Sequence, residues 1–172
     1  MKLHIGGKEI KEGWTILDIE ERPEVDIVSD ASKLDSIEDN SVSVIYASHI
    51  LEHMHYALND KLKLTLLEWN RVLEPEGKLL ISVPDLKTLC WLFLHPGATV
   101  YDRHHIMRII FGGQTNEHDI HFGGFDFDIL AVYLEEAGFS DIEKIAEFNL
   151  FNDCSSLVLL DTLISLNVIA SK

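Results

Sequence analysis

The chain has 172 residues, 47% of them apolar, enough for one domain that buries roughly 70% of its unfolded surface. Its 14 Lys and Arg stand against 29 Asp and Glu, a formal charge of −15. A surface this acidic, with no basic cluster to offset it, repels a phosphate backbone and excludes nucleic acid as the expected partner.

Lys2–Ile5 predicts a short strand closed by Gly6-Gly7. Trp14–Ile19 predicts a second and Val25–Val28 a third, with a turn at Arg22-Pro23 between them. Val42–Ala47 predicts a fourth, entered from the turn Glu38-Asp39-Asn40. The period then changes. Leu58, Leu62, Leu66, Trp69 and Leu73 recur at helical spacing, with Leu67 and Val72 widening the stripe. Glu74-Pro75-Glu76-Gly77 stops that helix, because Pro removes a donor and Gly favours a turn. Lys78–Val83 predicts another strand, and Asp85 the cap of a helix through Leu86, Leu89 and Phe93.

Residues 96–124 read as irregular, carrying His104-His105, Gly112-Gly113, His118, His121 and Gly123-Gly124. Asp126 caps a last helix, with Ile129, Leu130, Tyr133, Leu134 and Ala137 on one face and Gly138 as its stop. Two strands close the chain, Asp141–Phe148 and Leu163–Ala170, joined by an apolar segment around Ser155–Leu160. Trp69 and Phe93 read as core. Cys90 and Cys154, without C-x-x-C neighbours, read as small core residues in a reducing compartment. The start, MKLHIGGKEI, lacks a signal-peptide run, and Asp161 and Asn167 interrupt the most apolar later stretch. A cytoplasmic, non-membrane protein is the expectation.

Strands alternating with helices, each strand a continuous apolar run, predict an α/β fold with a mostly parallel sheet covered on both faces. Ligands of such sheets sit beyond the carboxyl ends of the strands. Those ends are Gly6-Gly7, Asp18, Asp30, Ser48-His49 and Pro84-Asp85.

Several blocks, in order, resemble the class I S-adenosylmethionine-dependent methyltransferases, in particular the small type 11 group. They are "LHIGG" with "GWTILDIE", "VSDASKLDSIEDNSVSVIYASHILEH", "LLEWNRVLEPEGKLLISVPDL", "LAVYLEEAGFSDIE" and the closing "SLNVIASK". The resemblance implies a single Rossmann-like domain over residues 1–172: a seven-stranded sheet, helices on both faces and an antiparallel C-terminal strand. It implies S-adenosylmethionine as cofactor, Gly6 and Gly7 on the glycine-rich loop, and Asp18 as acceptor for the ribose hydroxyls. Asp30 then lies near the adenine amine with Ala31 beside it, and Ser48 and His49 line the methyl-transfer site. Residues 96–124 become a lid on the substrate side, its histidines available for substrate contact.

Two departures stand out. Only eight residues, Gly6 to Gly13, separate the first two strands, fewer than the roughly 10–12 of a helical crossover. The first crossover helix is therefore expected to be missing, and "EPEG" replaces the family's usual "KPGG".

His49-Ile-Leu-Glu52-His53 also spells H-x-x-E-H, the inverted zincin pattern, in which two His one helical turn apart hold zinc. "VSVIYA" runs straight into it, so His49 belongs to a strand end and the pair cannot share a helix; no metal is expected there. The reading is a methyltransferase acting on a small-molecule or glycan-like acceptor. His49 is its leading base, followed by His53 and Asp85, since imidazole titrates near neutrality. The alternatives are a non-catalytic binding protein of the same fold and a metal-dependent hydrolase using His49, Glu52 and His53.

Overall fold

The computed structural model describes residues 1–172. Three strands, β1 (Lys2–Ile5), β2 (Trp14–Asp18) and β3 (Ile27–Val28), are followed by β4 (Val42–Ser48) and helix α1 (Lys61–Val72). Then come β5 (Leu73–Pro84), α2 (Leu86–Phe93), α3 (Val100–Phe111), α4 (Phe127–Glu136) and β6 (Ser140–Ile145). A two-stranded hairpin, β7 (Val158–Leu159) and β8 (Thr162–Leu163), precedes β9 (Ser165–Ser171). The main sheet has seven strands in the order β3-β2-β1-β4-β5-β9-β6. β9 is antiparallel to both neighbours, and β3, β2, β1, β4 and β5 pair in parallel. No helix of the chain is long and apolar enough to cross a membrane.

The connection between β1 and β2 contains no helix, as its length predicts. Alternation along each strand sends Leu3, Ile5, Ile45, Leu79 and Ile81 to one face, where all are buried. α1 covers that face with Leu62, Leu66 and Trp69, and α4 adds Leu130 and Leu134. Trp69 is wholly inaccessible, and truncation of such a side chain costs about 3–5 kcal/mol. α1 stops at Val72: Leu73 is already extended (φ −64°, ψ 138°), and Pro75 follows.

The opposite face has a different cover. His4, Trp14 and Tyr46 pack there against Phe148 and Phe151, from the segment between β6 and β9; the His4 and Phe151 rings lie 4.0 Å apart. Tyr46 donates its hydroxyl proton to Asp153 Oδ2 at 2.8 Å, and Asn167 Nδ2 donates to the carbonyls of Ala146 and Ser155. This excursion thus covers β1 and β2 on that face.

Several expectations change. Residues 100–111, read as irregular, form α3, started by a capping box between Thr99 and Asp102. Phe93, Leu58 and Leu67 are substantially exposed, and both cysteines are free and exposed, so none of the five is core. The closing strand begins at Ser165, because Leu163 belongs to the β7–β8 hairpin.

Candidate active site

A cleft of about 970 Å³ opens across the carboxyl ends of β1, β2 and β4. Gly6, Asp18, Asp30, Ala31, Ser48 and His49, at or just beyond four strand ends, line it together with His53. Gly7 and Asp85 do not. Asp85 caps α2, accepting from the Thr88 amide (3.3 Å) and hydroxyl (3.0 Å), and pairs with Lys144 at 3.3 Å. Its carboxylate is committed to structure. Gly7 is required by packing: a Cβ there would meet the His4 ring at 2.6 Å. Gly6 combines a left-handed φ of 74° with a Cβ position 2.3 Å from Ile50 Cδ1, so the protein itself excludes a side chain at that point.

Both acids at the strand ends already have partners. Asp18 Oδ1 accepts from the Glu20 amide, and Oδ2 from Arg22 Nη2, each at 2.9 Å. Arg22 also reaches the Gly7 carbonyl, Glu20 and Glu24, so its pKa is raised, chiefly by Asp18. Asp30 accepts from the Ser32 amide and hydroxyl and from Lys61 Nζ at 3.0 Å. Burial pushes Asp30 upward, yet the bonds from Ser32 and Lys61 outweigh it and hold the carboxyl below its ordinary range. The loop carrying Asp30 is fixed from the core. Trp69 Nε1 donates to the Ala31 carbonyl at 2.8 Å, and Glu68 and Arg71 bond the backbone of Leu34.

His49 leaves the end of β4 with φ 55°, and only Leu51–His53 beyond it form a helical turn, of 3-10 type. The hydroxyl of Ser165 gives its one proton to the Cys154 carbonyl at 2.6 Å, so it accepts from His49 Nε2 at 2.9 Å. His49 Nδ1 therefore carries a lone pair, and it faces Glu52 Oε1 at 3.4 Å. Nε2 is thus committed to Ser165, and Nδ1 is the ring nitrogen of His49 that carries the lone pair. His53 Nδ1 donates to the Ile120 carbonyl at 3.0 Å, which leaves Nε2 as its acceptor nitrogen. Glu52 is buried to 1% exposure with neither carboxylate oxygen hydrogen-bonded. Burial pushes its pKa up to about 8. Burial likewise lowers His49 and His121 to about 4, with the neighbouring imidazoles adding to the effect.

The methyltransferase domain family matches residues 12–81, which hold β2 through most of β5. Comparison with the curated proteins finds no match. Among solved structures, a SAM-dependent methyltransferase from Archaeoglobus fulgidus superposes with TM-score 0.60 at 18% identity, over 99% of this chain and 85% of that one. This is the class I methyltransferase fold. A 1,6-didemethyltoxoflavin N1-methyltransferase from Burkholderia thailandensis, with S-adenosylhomocysteine bound, gives 0.56 at 18% identity, over 92% of this chain and 60% of that one. Human N-acetylserotonin methyltransferase in complex with SAM gives 0.52 at 12%, over 93% and 41%.

Within this methyltransferase fold the far wall of the cleft departs from the sequence reading. It is built by Phe151, Asn152, Asp153 and Cys154, from the excursion that also packs on His4 and Tyr46. Residues 115–120 and Phe122 line the cleft from the lid side, whereas His104 and His105 are exposed on α3. Arg22 and Lys61 were not foreseen. A cation four residues after Asp18 carries no signal of its own until β2 is known to end there.

Proposed function

We propose that the chain is a S-adenosylmethionine-dependent methyltransferase with a small-molecule or glycan-like acceptor. The observation carrying this reading is the convergence of Asp18 and Asp30 on one cleft, at the ends of β2 and beyond β3 of a methyltransferase-type sheet. The residues fit the cofactor. The cleft volume lies at the upper end of the roughly 300–1,000 Å³ of small-molecule sites. A ribose diol and an exocyclic amine both need acceptors, and carboxylates supply them. Asp18 would hold the diol, Asp30 the amine, and Ile19 and Ala31 line the cleft between them as apolar surfaces for the base.

When bound, the cofactor supplies an electrophilic methyl group for in-line displacement. The chain's own part is alignment, which accounts for much of the catalysis in such a transfer. Ser48, at the end of β4, belongs to the wall where the acceptor would approach. His53 lines the same cleft, with its Nδ1 proton held by the Ile120 carbonyl. Free cysteines and an acidic surface support a cytoplasmic setting.

A second reading, a binding protein of this fold without catalysis, draws on Arg22 and Lys61. These cations occupy the two acids, and the first crossover helix is absent. Titration with S-adenosylhomocysteine, followed by a tritiated-methyl transfer screen over small hydroxyl, amine and sugar acceptors, separates the two. Cofactor binding without transfer to any acceptor favours the second; absence of cofactor binding removes the first. The hydrolase reading loses its ligand pair, because His49 and His53 do not share a helix.

A further inference from the structure

Glu52 poses a physical problem that methyl transfer does not explain. Its carboxylate is completely buried without one donor. A small void of about 10 Å³ adjoins it, lined by His121 and by the apolar side chains of Pro84, Leu89, Ile110 and Phe125. The nearest polar atoms are His49 Nδ1 at 3.4 Å, whose ring proton is committed to Ser165, and His121 Nε2 at 4.0 Å, beyond hydrogen-bond reach. A ring lone pair facing a buried carboxylate needs a positive centre at that carboxylate.

The geometry points to a divalent transition-metal site of zinc type, formed by Glu52, His53 and His121. Ligand atoms of these three all lie within 4.8 Å of one another. A tetrahedral ion with bonds of ~2.1 Å separates its ligands by about 3.4 Å, so a shift of about 1 Å closes the set. Two imidazoles and a carboxylate are a donor set that zinc takes, with a fourth position left open. The tautomer of His53 is already set for it: Nδ1–H donates to the Ile120 carbonyl, the outer hydrogen bond characteristic of a metal-bound His.

The backbone holds the two halves together. The amides of Phe122 and Gly123 both donate to the Glu52 carbonyl, at 2.8 and 3.2 Å, so His121 cannot drift from Glu52 without breaking that clamp. Glu52, His53 and the 120–123 segment thus form one preorganised unit. This differs from the inverted zincin pattern, whose pair was His49 and His53.

The inference stands on these side chains and not on the methyltransferase reading, and its test needs no cofactor. Chelator-stripped protein is titrated with Zn²⁺ by calorimetry and with Co²⁺ by its d–d absorption. One ion per chain is expected, with tetrahedral cobalt bands. Glu52→Gln and His121→Ala should each weaken binding at least tenfold, as loss of a ligand does, while His104→Ala on α3 leaves it unchanged. Circular dichroism of the stripped variants confirms folding. X-ray absorption on zinc-loaded wild type reads the ligand set without any variant, and two imidazoles with oxygen are expected. No stoichiometric ion, or binding indifferent to both Glu52→Gln and His121→Ala, overturns the proposal and leaves a proton as the positive centre at Glu52.

Discussion

Replacing Asp18 by alanine tests the cofactor cleft where its geometry is best defined. Asp18 has four acceptor lone-pair positions, two of them used by the Glu20 amide and Arg22. Two remain for a ribose diol. Charge-assisted bonds contribute about 1.5–3 kcal/mol, but water serves the same positions in the free protein, so about 1.5–3 kcal/mol is the net for the pair. Asp18→Ala should therefore weaken S-adenosylhomocysteine binding by about ten- to a hundredfold. The fold should survive, because the Arg22 pair is partly exposed and such pairs contribute about 1 kcal/mol or less. A loss of that size lowers Tm by about 2–4 °C for a chain of this length.

Asp18→Asn is not the mild control that its shape suggests. Both Asp18 oxygens face donors, so the amide nitrogen must point at either Arg22 or the Glu20 N–H. Its affinity loss should approach that of alanine, and its Tm should fall at least as far. Calorimetry and thermal melting on both variants decide the matter. Unchanged affinity in a folded Asp18→Ala protein would refute the placement of the ribose.

Three further outcomes follow from the same structure. His4 is buried at 3% exposure with its pKa lowered to about 4, by burial first, against the attraction of Asp153 and Glu9. A depressed base binds its proton in the unfolded chain first, so stability is complete above about pH 6.5 and falls as pH drops toward 4. His4→Phe should remove about 2.5 kcal/mol of that decline, read from urea melts at pH 7 and 4.5; equal declines in both proteins would remove His4 as its source. Gly6→Ala should lose about 1–3 kcal/mol from its positive φ and the clash with Ile50 Cδ1, and adding Ile50→Val should recover part of it. Recovery of nothing would show that Ile50 is not what excludes the side chain. Trp69→Phe keeps the buried ring but strands the Ala31 carbonyl, so it should cost about 1 kcal/mol and weaken S-adenosylhomocysteine binding; full affinity would show that the Asp30 loop is held without it.

Much of the scaffold was legible because parallel strands are continuous apolar runs and α1 has a strong stripe. Pro75 and Gly77 mark where that stripe ends. The missing crossover helix followed from chain length alone. α3 escaped because only Ile106 is buried along it, so its pattern is weak and its histidines resemble a loop. The strand-end acids were readable from position, but their cations were not: Lys61 reaches Asp30 across 31 residues. Glu52 and His121 meet through a backbone clamp between segments far apart in sequence, which no local spacing encodes. His49 shows how far position alone reaches. Its place at the end of β4 was readable, yet its partner Ser165 lies on β9, beyond any local pattern.

The central claim is that the cleft over β1, β2 and β4 takes an S-adenosyl cofactor. Calorimetric titration of wild-type protein with S-adenosylhomocysteine tests it most directly. One-to-one saturable binding is expected, weaker than nanomolar because the first crossover helix is absent and Arg22 competes for Asp18. No saturable heat, in protein shown by its melting curve to be folded, would contradict the account.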